Sequence, residues 1–163
     1  MTLFAALLTA ALSAPPPLQA HTEGGVTLSA PGSWKVLVKA AEHNAVLSRD
    51  AATHIHLHWW PYKEGASADR MLDKLISVTG ANLPLGQIQE RERSTVLDGQ
   101  GRLATADFSK FGYTMKLAFL VVMDAPHKAI KGAILLTTPE GWTELDAPAL
   151  IASVTAALQP PAP

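Results

Sequence analysis

From Gly86 to Thr138 the chain is almost entirely strand and turn, and this stretch limits the fold more than any other feature of the sequence. Residues 86–97 read as a polar strand, Asp98-Gly99-Gln100-Gly101 carries a hairpin signal, and residues 102–109 return. Residues 113–123 form a long, mostly apolar strand, Asp124-Ala125-Pro126-His127 turns the chain, and residues 129–138 pair back. Such a succession builds an antiparallel sheet.

Upstream, residues 21–25 read as a flexible lead-in, followed by short strands at 26–28, 35–39 and 45–48. Residues 53–62 alternate with period 2, the signature of a half-buried strand. Two helices complete the pattern. Ser67 caps the first, which runs to about Thr79 and exits through Gly80. Met71, Leu72, Leu75, Ile76 and Thr79 form its apolar stripe, and Asp69, Arg70, Asp73 and Lys74 its charged one. Asp146 opens the second, with Pro148 in its first turn and Ala147, Leu150, Ile151, Val154 and Leu158 inward. The expected fold is α+β, with one antiparallel sheet of about six to eight strands flanked by two main helices. Leu75 and Ile151 are expected to face a shared core.

The N-terminal stretch 1–13 is apolar and uncharged, and too short to span a bilayer, which takes about 20 residues. Pro15-Pro16-Pro17 detaches it from the rest of the chain, and Ala20 is the best cleavage position. Residues 1–20 are therefore expected to be a signal peptide, residues 21–158 a single domain, and residues 159–163 a disordered tail. The expected location is periplasmic or secreted. The chain has no cysteine, which a domain of this length tolerates even in an oxidising compartment. A formal net charge of −1 leaves no polybasic surface for nucleic acid, and no later segment is apolar enough to span a membrane.

Three places carry a family resemblance. The first is the opening strand running into Ala30-Pro31-Gly32-Ser33-Trp34. The second is Leu97-Asp98-Gly99 followed by Gly101-Arg102-Leu103-Ala104-Thr105-Ala106. The third is the closing pair of apolar strands and a last helix ending Ile151-Ala152-Ser153-Val154. Together they resemble the PsbP-like group, which includes photosystem II extrinsic subunits, Mog proteins and DcrB-type envelope proteins. The resemblance covers nearly all of residues 25–158. It implies an antiparallel sheet flanked by helices, and a binding or accessory role rather than catalysis. It supplies no ligand-binding motif.

The segment richest in chemistry is Thr53-His54-Ile55-His56-Leu57-His58-Trp59-Trp60-Pro61-Tyr62. Alternation sets Ile55, Leu57 and Trp59 on one face and His54, His56, His58, Trp60 and Tyr62 on the other. Neighbouring histidines at i and i+2 are candidate ligands for Cu or Zn. His54 and His58 are about 13 Å apart at ~3.3 Å per residue, so one ion takes two neighbours plus ligands from His21, Glu64 or His127. The competing reading is a sheet face on which the rings serve as amphipathic cover. His21 has a second reading: as a new N-terminus it offers an amine and an imidazole for a copper-chelating arm, against a frayed end.

Glu90-Arg91-Glu92-Arg93 alternates sign, which places both carboxylates on one face of an exposed edge strand. There is no nucleophile elbow, no cysteine nucleophile and no phosphate loop. The functional expectation is an exported, non-enzymatic binding or accessory domain without a cofactor, serving another envelope protein or a small ligand. The alternative is a periplasmic Cu- or Zn-binding protein using His54, His56, His58 and His21.

Overall fold

The computed structural model describes residues 18–23, 26–31, 34–41, 44–83 and 86–159. Most of the expected signal peptide and the last four residues of the tail lie outside them. Among the described residues nine strands, β1 (Leu18–Glu23), β2 (Val26–Pro31), β3 (Lys35–Ala41), β4 (Asn44–Ser48), β5 (His54–Pro61), β6 (Gln87–Val96), β7 (Gly101–Lys110), β8 (Tyr113–Asp124) and β9 (Ala129–Thr137), accompany three α-helices. The helices are α1 (Ala68–Asn82), α2 (Pro139–Glu144) and α3 (Ala147–Leu158).

β3 to β9 form one seven-stranded antiparallel sheet in the order β3-β4-β5-β9-β8-β7-β6, and β1 and β2 make a separate hairpin. The order follows from the hairpins of the second half. β6, β7, β8 and β9 pair in sequence, and β5 then adds to the free side of β9. β7 and β8 turn through only Phe111 and Gly112, both at positive φ (46° and 82°), as a tight hairpin of right-handed strands requires. At the β8–β9 turn the buried Asp124 accepts hydrogen bonds from His127 Nδ1 (2.8 Å) and Lys131 Nζ (3.0 Å).

The central strands β8 and β9 are apolar on both faces because each face meets a helix. On one side α1 lays Ala68, Leu72 and Leu75 on Ala104, Leu117 and Phe119. On the other, Leu150, Val154 and Leu158 of α3 cover Ile55, Leu120 and Leu135. β2 also runs against α3. The molecule thus has two cores, and this corrects the expectation of a shared one: Leu75 belongs to the α1 side, whereas Ile151 is half-buried on the α3 side. An antiparallel sheet whose central side chains alternate between two helices cannot join them through its own backbone.

Other local expectations change for equally physical reasons. Residues 21–23 are not a loose lead-in but part of β1, where His21 pairs with Leu28. α1 continues through Gly80 to Asn82, and a Cβ added at Gly80 would sit 3.6 Å from Ile88 Cδ1. The additional helix α2 is announced by Thr138-Pro139: the Thr138 side chain accepts a bond from Gly141 N–H, with Pro at the start. Asp146 takes φ 48° before α3 and makes no side-chain cap bond. A bulge between Glu90 and Glu92 in β6 breaks the strict alternation. Glu90 and Arg93 consequently pair with each other (2.8 Å), while Arg91 bonds Asp107 on β7.

Truncating Leu72 or Leu158, each fully buried, should cost about 2–5 kcal/mol through lost transfer energy and a residual cavity. The two costs should add to within about 0.5 kcal/mol, because the sheet lies between them. Ile151→Ala should cost less than Leu75→Ala. Urea denaturation of the single and double variants measures all of these, and strong coupling between Leu72 and Leu158 would contradict the two-core arrangement.

Candidate functional site

α1 does not lie over the middle of its face of the sheet. Its main contacts are with β8, β7 and β6. Two ion pairs fasten it there. Asp69 accepts from Arg102 Nε on β7 at 2.9 Å, and Asp73 accepts from Arg93 on β6 at 2.9 Å. Positions i and i+4 share an edge of a helix, so these two carboxylates draw one edge toward β6–β7. Arg70 and Lys74, each one residue further on, are carried about 100° round to the adjoining edge, beside β5.

A trench therefore remains between α1 and β5. It consists of three successive hollows that share walls. The outer one, about 460 Å³, lies among Trp60, Lys63, Glu64, Arg70, Met71 and Lys74. The middle one, about 190 Å³, is walled by His58, Trp60, Met71, Lys74, Leu75 and Val78. The inner one, about 300 Å³, reaches His56, Leu83, Leu117, Ile134 and Leu136. Another concavity, about 620 Å³, lies on the other face between α3 and β6–β7, with Trp142, Ile151, Leu103 and Glu92 among its walls.

The floor of the trench is a row of rings. The centroids of His54 and His56 are 6.2 Å apart, those of His56 and His58 6.4 Å, and those of His58 and Trp60 5.5 Å. His58 and Trp60 stack within 3° of parallel. Trp60 can lie flat because Gly132 of β9, the cross-strand partner of His58, leaves room beside it: a Cβ there would stand 2.9 Å from the indole. Burial, and then the charge of the preceding ring, hold His56 and His58 below the ordinary histidine value of 6.5. His54 Nε2 lies 3.1 Å from the Ala51 carbonyl, while His54 Nδ1 and His58 Nε2 are shielded and have no hydrogen-bond partner.

The alternation expected for β5 is found as written, with His54, His56, His58 and Trp60 on the α1 side and Ile55, Leu57 and Trp59 on the other. The additional ligands considered for a metal are elsewhere. Glu64 sits in the outer hollow beside Trp60, His127 is bonded to Asp124, and His21 belongs to the β1–β2 hairpin, whose second strand contacts α3. Among the described residues, no three His, Cys, Asp or Glu side chains come together around a metal-sized point. The rings of His56 and His58 stack within 17° of parallel. An imidazole lone pair lies in its ring plane, so this pair does not aim at one ion as it stands.

Lys63, Arg70 and Lys74 were not among the candidates from sequence. The usable signal was the spacing of Asp69/Asp73 against Arg70/Lys74, which sorts acid and base onto adjoining edges of one helix.

Compared as a sequence, the chain matches no family model and no curated protein. Its fold is nevertheless known. Cyanobacterial PsbP (CyanoP) from Synechocystis sp. PCC 6803 superposes with a TM-score of 0.58 at 14% identity, over 90% of this chain and 96% of that one. The Saccharomyces cerevisiae Ran-binding protein Mog1p gives 0.63 at 10% identity, over 86% and 94%. LpqN of Mycobacterium tuberculosis, described as involved in cell envelope biogenesis, gives 0.51 at 14% identity, over 89% and 84%. The chain has the PsbP-like fold.

The two half-buried imidazoles generate a pH prediction. Their folded-state values are depressed, so between those values and 6.5 the unfolded chain binds more protons than the folded one. Stability is full above about pH 7.5 and should fall as pH drops through 6.5, levelling once pH is below the folded values. Asp107 and Asp124, whose values are lowered by their Lys116 and His127/Lys131 bonds against the opposing effect of burial, should act only at lower pH. Urea midpoints from pH 8 to 5 should show a slope that is reduced in a His56→Gln/His58→Gln variant; an identical slope in both proteins would refute the assignment.

Proposed function

We propose that this PsbP-like fold serves as an exported, non-enzymatic binding domain, with the trench between α1 and β5 as the seat of a small ligand. The observation that carries this reading is the off-centre placement of α1, which leaves a half-covered sheet face next to a continuous hollow. Ligand sites are typically concave and mostly apolar with a few convergent polar groups, and the trench has that composition. Mog1p is a Ran-binding protein and LpqN is described as involved in cell envelope biogenesis; a binding role at the envelope is consistent with the second.

Val78 stands on the trench-side edge of α1 and is 49% exposed, so a larger side chain there should fill the hollow without disturbing the core. Native mass spectrometry of the protein exposed to an envelope extract should reveal a small-molecule adduct, and Val78→Trp should abolish it. An adduct retained at full occupancy in Val78→Trp would move the site out of the trench.

Cu(II) or Zn(II) binding on the histidine face is the second reading, favoured by the two unpartnered imidazole nitrogens. Use of the His56/His58 pair requires those rings to turn out of their stack, and only two neighbours reach one ion without further ligands. Calorimetry at neutral pH should give micromolar or weaker binding. Nanomolar one-to-one binding that disappears in a His54/His56/His58→Gln variant would put the metal first.

A further inference from the structure

We propose that the trench takes a single-chain anionic amphiphile, with its acidic head among Lys63, Arg70 and Lys74 and its hydrocarbon running past Trp60 toward Leu117, Ile134 and Leu136. This deepens the reading of the trench as a ligand seat and rests on it.

The argument begins with the sorting of charge on α1. Its carboxylates are engaged: Asp69 by Arg102 and Asp73 by Arg93. Its cations are not. Among the described residues Arg70, Lys74 and Lys63 make no ion pair, although nine such contacts are present elsewhere. All three line the outer hollow, where Glu64 is the single carboxylate facing them. The mouth is therefore a cationic site with a partial internal counter-charge, and an anion entering it is not opposed by the helix's own acids.

Polarity changes along the trench. The middle hollow retains Lys74 but is otherwise His58, Trp60, Met71, Leu75 and Val78. The inner hollow has no Lys, Arg, Asp or Glu in its wall; its polar side chains are His56, His58, Thr79 and Asn82. The imidazoles are held in the neutral form by burial, so this end presents no fixed charge near neutral pH. From Trp60 back to His56 the floor extends about 13 Å, at ~3.3 Å per strand residue, and the hollow is longer still at its outer end. An elongated site that is cationic at one end and hydrocarbon-lined at the other matches a molecule with the same asymmetry.

A peptide fits less well. Extended peptides attach by adding a strand to a free sheet edge, and β5 is already paired with β4 on one side and β9 on the other. The inner wall also offers few partners for peptide N–H and C=O groups, whereas a hydrocarbon chain needs none.

The test is calorimetry on the full chain at pH 7.5 and low salt, with each probe kept as monomer. Dodecanoate should bind, and dodecyl maltoside and dodecyltrimethylammonium should bind at least tenfold more weakly. A Lys63→Gln/Arg70→Gln/Lys74→Gln variant alters only side chains at the solvent-facing rim and should fold normally, as circular dichroism checks. It should lose at least tenfold in dodecanoate affinity and most of the discrimination between heads. Equal affinity for all three probes, unchanged in the triple variant but lost in Val78→Trp, would overturn the charged-head inference and leave the trench in place. Dodecanoate binding unaffected by Val78→Trp would remove the trench itself. Binding to anionic vesicles without binding of monomeric dodecanoate, or no binding of any probe by folded protein, would also overturn the proposal.

Discussion

A sheet of seven strands spaced about 4.8 Å apart is roughly 29 Å wide, and a helix with its side chains covers only about 10–12 Å. Much of this molecule follows from that mismatch. Each face receives one main helix, so each helix must leave part of its face to other cover. On the α3 side, α2 and the β1–β2 hairpin sit alongside the helix. On the α1 side, among the described residues, the strands beyond β9 receive no second helix, and the chain supplies rings instead.

Two kinds of contact hold α1 where it lies. The ion pairs from Asp69 and Asp73 are partly exposed, and pairs of that kind contribute about 0–1 kcal/mol each. The burial of Leu72, Leu75 and Phe119 holds the helix to the sheet at all. That packing is close and interdigitated, and two arginines on β6 and β7 fasten the edge of the helix on the same side. With that edge fastened, Arg70 and Lys74 lie on the trench side.

The rings of β5 are suited to a half-covered face. An aliphatic row there would expose a continuous apolar patch, and a row of charges would resist the covering that α1 does provide. Neutral imidazoles and an indole tolerate both surroundings. Trp60 lies flat over Gly132 and under the stack of His58, so the floor of the trench is a packed surface rather than a set of free side chains. The stack also keeps the His56 and His58 imidazoles near parallel, so their in-plane lone pairs do not converge on one ion.

The sequence by itself determined most of what local period and turn chemistry set, although α2 and the run of α1 past Gly80 were not read from it. The hairpins from β6 to β9, the two faces of β5, the Ser67 cap of α1 and the apolar side of α3 were all legible in the order of residues alone, and together they imply the α+β sheet. The histidine half of the candidate site was legible for the same reason, since period 2 assigns a face without reference to the rest of the chain. Tertiary structure alone decided that there are two cores, that a bulge turns Glu90 and Arg93 to one face, and that the cations of α1 meet the histidine strand. Those outcomes depend on partners far apart in the chain, Asp73 with Arg93 and Asp69 with Arg102, at separations of 20 and 33 residues. A residue's period tells which way its side chain points from its own element, but where that element lies depends on what it meets.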